Sequence, residues 1–131
     1  MPENEIYNYA PEANNAVAKS PQECRRVLKE LGCCVIIPTY NNAGTLSHVI
    51  SEVLQYSEDV IVVDDGSTDS TPEIIRSFGD AIKSLTQEKN QGKGVALLCG
   101  MVYAKRYGFK YAISIDSDGQ HYPSDLPIFA D

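Results

Sequence analysis

The chain alternates short apolar runs with helical stretches, and this alternation limits the folds that it can adopt. Residues 33–37 and 60–63 contain only apolar side chains, which is typical of strands buried on both faces of a parallel sheet. Residues 111–115 form a similar run, while residues 81–85 include two polar side chains and predict a strand near an edge. Strands and helices in this order predict a mostly parallel sheet with helices on both faces, a three-layer Rossmann-like α/β fold.

Capping signals predict where two helices begin. Ser20-Pro21-Gln22-Glu23 and Ser70-Thr71-Pro72-Glu73 each have the form of a capping box with an early proline. The first predicts a helix to about Leu31 and the second a helix to about Phe78.

Apolar periodicity predicts two further helices. One has the apolar stripe Leu46, Val49, Ile50, Val53 and Leu54. The other covers residues 92–107, with Val95, Leu98, Val102 and Tyr103 expected to face the core.

Length and composition predict one domain. The 131 residues are enough for a single core. Residues 1–19 show no apolar periodicity and are expected to be a poorly ordered leader, so residues 20–131 are expected to form the folded unit. No stretch approaches the roughly eighteen apolar residues of a membrane span, so membrane attachment is expected only through parts outside this chain.

Charge and cysteine usage narrow the partners and the compartment. A net charge of −7 disfavours nucleic acid, because binding to a phosphate backbone depends on Lys and Arg. The four cysteines form no C-x-x-C pair, and Cys33 and Cys34 are expected to be buried free thiols. A reducing, cytoplasmic location is therefore expected.

Polar residues follow three of the four predicted strands at the point where each strand ends. These segments are residues 38–42, 64–69 and 116–121. Because ligands bind beyond the carboxyl ends of the strands in open parallel sheets, the three segments are expected to converge on one pocket.

The third segment places two carboxylates, Asp116 and Asp118, one residue apart. Two such charges repel by roughly 4 kcal/mol at 4 Å and an effective dielectric of about 20, so a partly buried pair needs a cation. Carboxylate oxygens suit magnesium or manganese, which in turn hold phosphates. We therefore expect a divalent metal at Asp118, with Asp116 and Gln120 as further ligands.

The other segments suit a nucleotide. Tyr40 offers a ring face for a base, and Asp65 can accept a hydrogen bond from a base N–H. Residues 90–94 open the long helix with two glycines, and Lys93 adds a cation where phosphates would approach.

Each motif alone also has a plainer explanation. Residues 64–67 could form a turn and a helix cap, residues 90–94 a plain loop, and Tyr40 an aromatic at the rim. His121 is expected to be an ordinary loop histidine. Residues 90–94 are not a Walker A loop, because Gln87 and Gly94 occupy the places of the required glycine and hydroxyl residue. Only the convergence of the motifs on one rim favours a binding site.

Four segments together resemble a family 2 glycosyltransferase of GT-A fold. They are Val35-Ile36-Ile37-Pro38-Thr39-Tyr40-Asn41-Asn42, Val62-Val63-Asp64-Asp65-Gly66-Ser67-Thr68-Asp69, Asn90-Gln91-Gly92-Lys93-Gly94 and Asp116-Ser117-Asp118. The resemblance covers about residues 33–127, with the segments in the family's order.

The resemblance implies an inverting transfer from a nucleotide-diphospho-sugar, most often a UDP-sugar or GDP-mannose. In the family, residues matching Pro38, Tyr40 and Asp65 hold the base, and the D-x-D pair binds the metal, with Asp118 as the more direct ligand and the catalytic candidate. The full set of implied donor contacts is Pro38, Thr39, Tyr40, Asn42, Asp64, Asp65, Lys93, Asp116, Ser117 and Asp118.

Residues 118–127 are similar to the dolichyl-phosphate mannose synthase branch, in which the residue matching Gln120 helps to bind metal. This implies a polyprenyl phosphate acceptor, or otherwise a growing glycan, at the cytoplasmic face of a membrane. The chain departs from that branch at Asn42, where Glu is common. It is expected to be the donor-binding part of a glycosyltransferase, without the acceptor-binding part that usually follows.

Two other classes of protein are compatible with some of these features. Haloacid-dehalogenase-type phosphatases also place D-x-D after a strand, but they need Thr or Val at the position of Gln120 and carry the motif early in the chain. A non-catalytic module that binds nucleotide-sugars would share the same pocket. A dinucleotide-binding domain is disfavoured, because no G-x-G-x-x-G follows the first strand.

Overall fold

The computed structural model describes residues 20–119, and all structural statements concern these residues. The helices are α1 (Pro21–Leu31), α2 (Leu46–Tyr56), α3 (Thr71–Ser77) and α4 (Lys93–Arg106). The strands are β1 (Cys33–Thr39), β2 (Val60–Asp64), β3 (Lys83–Thr86) and β4 (Tyr111–Ser114), and a 3-10 turn (Gly79–Ala81) precedes β3.

The four strands form one parallel sheet in the order β3-β2-β1-β4. The helices α1, α2 and α3 pack on one face and α4 on the other, which confirms the predicted three-layer α/β fold. β3 lies at an edge, as its polar residues predict, and Lys83 and Ser84 are exposed.

The two central strands are buried on both faces because successive side chains point to opposite sides of the sheet. In β1, Val35 and Ile37 pack against α1–α3, whereas Cys34 and Ile36 pack against α4. Every residue of β1 and β2 is buried, which explains their uninterrupted apolar sequences. The predicted burial of Cys33 and Cys34 as free thiols is confirmed.

β1 runs two residues further than predicted, through Pro38 to Thr39. In a parallel ladder, alternate residues turn their N–H and C=O groups to the same neighbouring strand. The Ile36 carbonyl accepts from Ile115 on the β4 side, whereas the Thr39 carbonyl accepts from Asp65 on the β2 side. The backbone nitrogen of Pro38 thus points to the β4 side of the sheet, but past Ser114, the last residue of that strand. Its missing N–H therefore removes no ladder bond.

The first helix cap forms as predicted, but the second does not. The Ser20 hydroxyl accepts from the Glu23 N–H at 3.1 Å. Ser70 makes no side-chain cap bond, and the preceding residue, Asp69, instead accepts from the Thr71 N–H at 2.9 Å. Asp69 and Ser70 are both residue types that cap helices, so the sequence does not show which of the two makes the bond.

The buried face of α4 differs from the predicted one. Leu98 and Val102 are 59% and 54% exposed, and Val95 is also exposed; only Tyr103 is partly buried as expected. The buried residues are Ala96, Gly100 and Ala104, a stripe of small side chains.

Close packing explains this orientation of α4. A Cβ atom built on Gly100 would lie 2.6 Å from Ile36 Cγ2 and 3.2 Å from Val63 Cγ2. The helix therefore lies too near the sheet at Gly100 for a larger side chain. Val95, Leu98 and Val102 face outward, while Leu97 and Tyr103 pack partly buried beside the stripe. No helix within residues 20–119 is long and apolar enough to cross a membrane.

Candidate functional site

An open cleft of about 240 Å³ lies at the carboxyl edge of the sheet. Loops that follow β1, β2 and β4, together with the start of α4, form its walls. Asp65 and Asp118 thus line the same cavity, as expected if the loops after the strands converge on one pocket. The lining residues are Pro38, Thr39, Tyr40, Asn42, Asp65, Asn90, Gly92, Lys93, Ala96, Asp116, Ser117 and Asp118.

Asp65 holds the loop that leads into α4. Its carboxylate is only 2% exposed; Oδ1 accepts from the Gln91 N–H at 2.8 Å, and Oδ2 accepts from the Gly92 N–H at 2.9 Å. A carboxylate has about four acceptor positions, so capacity for further donors remains. Asp65 therefore shapes the cleft as well as lining it.

The loop after β2 touches the loop that leads into α4 at Gly66. Its φ is +74°, and a Cβ at this position would lie 2.4 Å from the Lys89 carbonyl carbon and 2.5 Å from the Asn90 nitrogen. Only glycine allows this contact between backbones. The Gly in the Asp-Asp-Gly-Ser run thus brings residues 89–92 against the β2 loop.

Asp64 occupies a different place from the other predicted donor contacts. It is buried, and its Oδ1 accepts from the Ser67 N–H at 3.0 Å. It does not line the cleft, and its carboxylate stabilises the turn that places Asp65 and Gly66. Its predicted contact with a donor stays a prediction.

The loop after β1 joins the other two loops. Asn41, at φ +51°, accepts from the Thr68 N–H at 2.8 Å and donates its own N–H to the Ser67 hydroxyl at 2.9 Å. Asn42 donates to the Ser117 hydroxyl at 2.7 Å, and the Thr45 hydroxyl donates to the Ser117 carbonyl at 2.5 Å. Sequence reasoning missed Asn41 and Thr45, because their partners lie 26 or more positions away.

Lys93 lies against the carboxylate pair. Its ammonium group forms an ion pair with Asp116 across the cleft, and 61% of the Lys93 side chain is exposed. Because the lysine end of this ion pair is exposed, water screens the attraction, and the lysine can exchange its partner. The first residue of α4 therefore places a cation beside Asp116 in the cleft.

Asp116 and Asp118 suit a metal site whose coordination shell is completed by a bound phosphate ligand and water. Within residues 20–119, no group of three or more His, Cys, Asp or Glu could enclose an ion. Magnesium and manganese sites in phosphate-binding proteins commonly use one or two carboxylates, the phosphates and water. Asp116 and Asp118 in one cleft fit this type of site. Gln120, the third predicted ligand, and His121 lie outside the described residues.

One buried hydroxyl on the cleft wall has no protein partner. Thr39 is 3% exposed, and its Oγ1 makes no hydrogen bond. Tyr40 follows it with 42% of its surface exposed. An unpaired buried hydroxyl beside an exposed aromatic ring suits a planar ligand that can hydrogen-bond.

The comparisons with known proteins agree with this architecture. The chain belongs to glycosyl transferase family 2, whose sequence model matches residues 34–131.

The relatives with functional names include a transferase of Methanococcus voltae and a synthase of Mycolicibacterium smegmatis. The chain is 31% identical over 108 residues to a UDP-N-acetylglucosamine--dolichyl-phosphate N-acetylglucosaminyltransferase of Methanococcus voltae, covering 70% of this chain and 43% of the relative. It is 33% identical over 103 residues to a polyprenol monophosphomannose synthase of Mycolicibacterium smegmatis, covering 74% and 39%. The chain thus spans less than half the length of these relatives.

Solved structures show the same fold. S. aureus TarS 1-349 in complex with UDP has a TM-score of 0.52 and 28% identity, over 66% of this chain and 27% of the TarS 1-349 chain. Glucosyl-3-phosphoglycerate synthase from Mycobacterium tuberculosis has a TM-score of 0.67 and 23% identity, over 86% and 43%. The fold is accordingly GT-A, as the sequence motifs imply.

Proposed function

We propose that the cleft binds a nucleotide-diphospho-sugar and that residues 20–131 form the donor-binding part of an inverting glycosyltransferase. The observation that carries this proposal is the single cleft that holds Asp65, the Asp116–Asp118 pair and the unpaired Thr39 hydroxyl. Asp65 and Thr39 suit a base, and the Asp116–Asp118 pair suits a pyrophosphate with its metal.

The base is assigned to the side of the cleft formed by Thr39, Tyr40 and Asp65. Tyr40 stacks on the base, while Asp65 and the Thr39 hydroxyl are available to its polar edge. The likeness to TarS, a structure that contains UDP, supports a uridine nucleotide.

The pyrophosphate is assigned to the side formed by Lys93, Asp116 and Asp118. A bound magnesium or manganese ion would stabilise the negative charge that develops on the leaving diphosphate. Asp118 and Asp116 would hold the ion, and the exposed Lys93 ammonium, now paired with Asp116, would be available to a phosphate oxygen. The acceptor oxygen would attack the anomeric carbon while the bond from that carbon to the diphosphate oxygen breaks. The nucleoside diphosphate leaves from the opposite face, which inverts the configuration.

The proposed acceptor is a polyprenyl phosphate. This follows from the names of the M. voltae and M. smegmatis relatives, a dolichyl-phosphate transferase and a polyprenol phosphate synthase. Such an acceptor places the working protein at a membrane surface, which we propose to be the cytoplasmic one.

Thermal unfolding with a panel of UDP-, GDP- and CDP-sugars, each with manganese or with EDTA, tests donor binding. A ligand that binds only the folded state at 100 times its Kd adds about 2.7 kcal/mol of stability and raises the Tm. We expect a UDP-sugar with manganese to give the largest rise, and Asp118→Ala to abolish the part that depends on manganese. Asp80→Ala, in the exposed turn before β3, is the matched control.

Two results would contradict the proposal. One is a panel in which no nucleotide-sugar raises the Tm. The other is an Asp118→Ala variant that keeps the full manganese-dependent rise.

A further inference from the structure

We propose that Asn42 and Thr45 are positioning residues that direct Asp116 and Asp118 by holding Ser117, the residue between them. This inference rests on the proposed function, because the two acids matter only if they hold a metal and its nucleotide.

Ser117 is held at two points from one turn of the chain. Asn42 Nδ2 donates to Ser117 Oγ at 2.7 Å, and Thr45 Oγ1 donates to the Ser117 carbonyl oxygen at 2.5 Å. Ser117 is 2% exposed, so water does not compete for either bond. A residue fixed at its side chain and its carbonyl has a fixed backbone orientation, which sets the Cα–Cβ directions of both neighbouring acids.

Thr45 makes this contact in place of its ordinary local one. It occupies the N-cap position of α2, where a threonine side chain usually accepts from an N–H of the first helical turn. Here it makes no side-chain cap bond. Its hydroxyl lies 3.5 Å from the Asn42 carbonyl oxygen but only 2.5 Å from the Ser117 carbonyl oxygen, 72 positions along the chain. A local stabilising bond is thus replaced by one that fixes the acidic segment.

The turn that holds Ser117 is itself anchored on its other side. Asn41 bonds to Ser67 and Thr68, and the Ala43 N–H donates to Asp69 Oδ2 at 3.2 Å. The turn therefore cannot follow Ser117 if that segment moves. This makes residues 41–45 a fixed reference that relates the acids to the loop after β2.

The sequence assigned Asn42 to direct contact with the donor. In the structure its amide group is bonded to Ser117, and we assign it an indirect role through that bond.

A double-mutant cycle tests the Asn42–Ser117 bond. Isothermal titration calorimetry gives the affinity for UDP with manganese and with EDTA, and the ratio of the two measures the metal-dependent part of binding. We expect Asn42→Ala and Ser117→Ala each to lower this ratio about tenfold, the effect of losing one well-formed hydrogen bond. The double variant should be no worse than either single one, because both remove the same bond.

Thr45 offers a matched pair of variants that guards against misfolding. Thr45→Val removes the hydroxyl at nearly constant shape, and Thr45→Ser keeps it. We expect the valine variant to lower the ratio and the serine variant to preserve it, with UDP affinity in EDTA unchanged for both.

The outcomes separate this inference from the proposed function. If manganese does not strengthen UDP binding to the wild type, the proposed function fails, and this inference with it. If the wild type shows the enhancement and the Asn42→Ala and Thr45→Val variants keep it, only the positioning role fails. A loss of affinity that is equal in manganese and in EDTA would also overturn it, since these residues would then merely hold the cleft together.

Discussion

Thr39 and Thr71 are both buried, but only Thr39 lines the cleft. Within residues 20–119, the Thr39 hydroxyl makes no hydrogen bond, whereas the Thr71 hydroxyl lies beside the Asp69 carboxylate and lowers its pKa. Thr39 lines the cleft, whereas Thr71 begins α3 and does not. An unpaired buried hydroxyl is unfavourable for folding, so a ligand that bonds to Thr39 would explain why this position keeps one.

Replacing Thr39 should therefore stabilise the protein and weaken binding. For Thr39→Val, we expect the free energy of unfolding to rise by about 1 kcal/mol and the affinity for UDP to fall by about the same free energy. Thr71→Val, the control, removes a buried hydroxyl outside the cleft and should leave the affinity for UDP unchanged. Urea unfolding and calorimetry measure the two quantities. UDP affinity that is unchanged in Thr39→Val would remove Thr39 from the ligand contacts.

Single residues were predictable where their chemistry is local to a motif. Asp65 and Asp118 were expected in one pocket because each follows a strand of a parallel sheet, and both line the cleft. The turn-forming place of Asp64 and the contact of Thr45 with Ser117 were not predictable. Each depends on the course of the backbone or on a partner far away in the sequence.

Helix α4 shows what hydrophobic periodicity can and cannot predict. The period correctly predicts a helix, and the uninterrupted apolar runs correctly predict the central strands. The prediction of which face of α4 is buried was wrong. Large apolar residues indicate a core-facing side, whereas a stripe of Ala and Gly does not. The distance between helix and sheet decides the face, and that distance is a property of the packed fold.

Two glycines of α4 provide a matched test of this packing. Gly100→Ala should lower the free energy of unfolding by about 1–3 kcal/mol, because its Cβ would overlap Ile36. Gly94→Ala, which meets no atom within 4 Å, should raise it by about 0.5–1 kcal/mol through helix propensity. Urea unfolding of both variants measures this. A stabilising Gly100→Ala would show that α4 lies further from the sheet.

The outward residues of α4 should tolerate polar replacement. Leu98→Gln and Val102→Gln should each change the free energy of unfolding by no more than about 0.5 kcal/mol, as is usual at exposed sites. Leu28→Gln, at a fully buried position of α1, is the contrasting control. A loss of about 2–5 kcal/mol at Leu98 would instead indicate the core position that its period predicts.

The molecule as a whole has two apolar layers that meet at β1. Cys33 belongs to the layer of α1–α3, and Cys34 belongs to the layer of α4. Burial raises the pKa of both thiols from 9.0 to about 12. Each layer therefore contains a group that resists ionisation only while the protein is folded.

Stability should consequently decrease in alkaline solution. The folded-state pKa values lie above the unfolded ones, so this contribution is complete below about pH 9 and is lost as pH rises toward 12. In that window the loss is about 1.4 kcal/mol per pH unit for each thiol. Urea unfolding at a series of pH values measures the slope, and a Cys33→Ala, Cys34→Ala variant should reduce it. An equal slope in that variant would contradict this origin.

The hydrogen bond from the Thr45 hydroxyl to the Ser117 carbonyl also has a consequence for the order of folding. The start of α2 lacks a side-chain cap bond, and the shortest bond of the Thr45 hydroxyl is to a carbonyl 72 positions later. Contacts between distant parts of a chain form late, because closing a long loop costs entropy before the contact forms. The first turn of α2 should therefore become rigid only after β4 has docked beside β1, so that this corner of the protein is among the last to be completed.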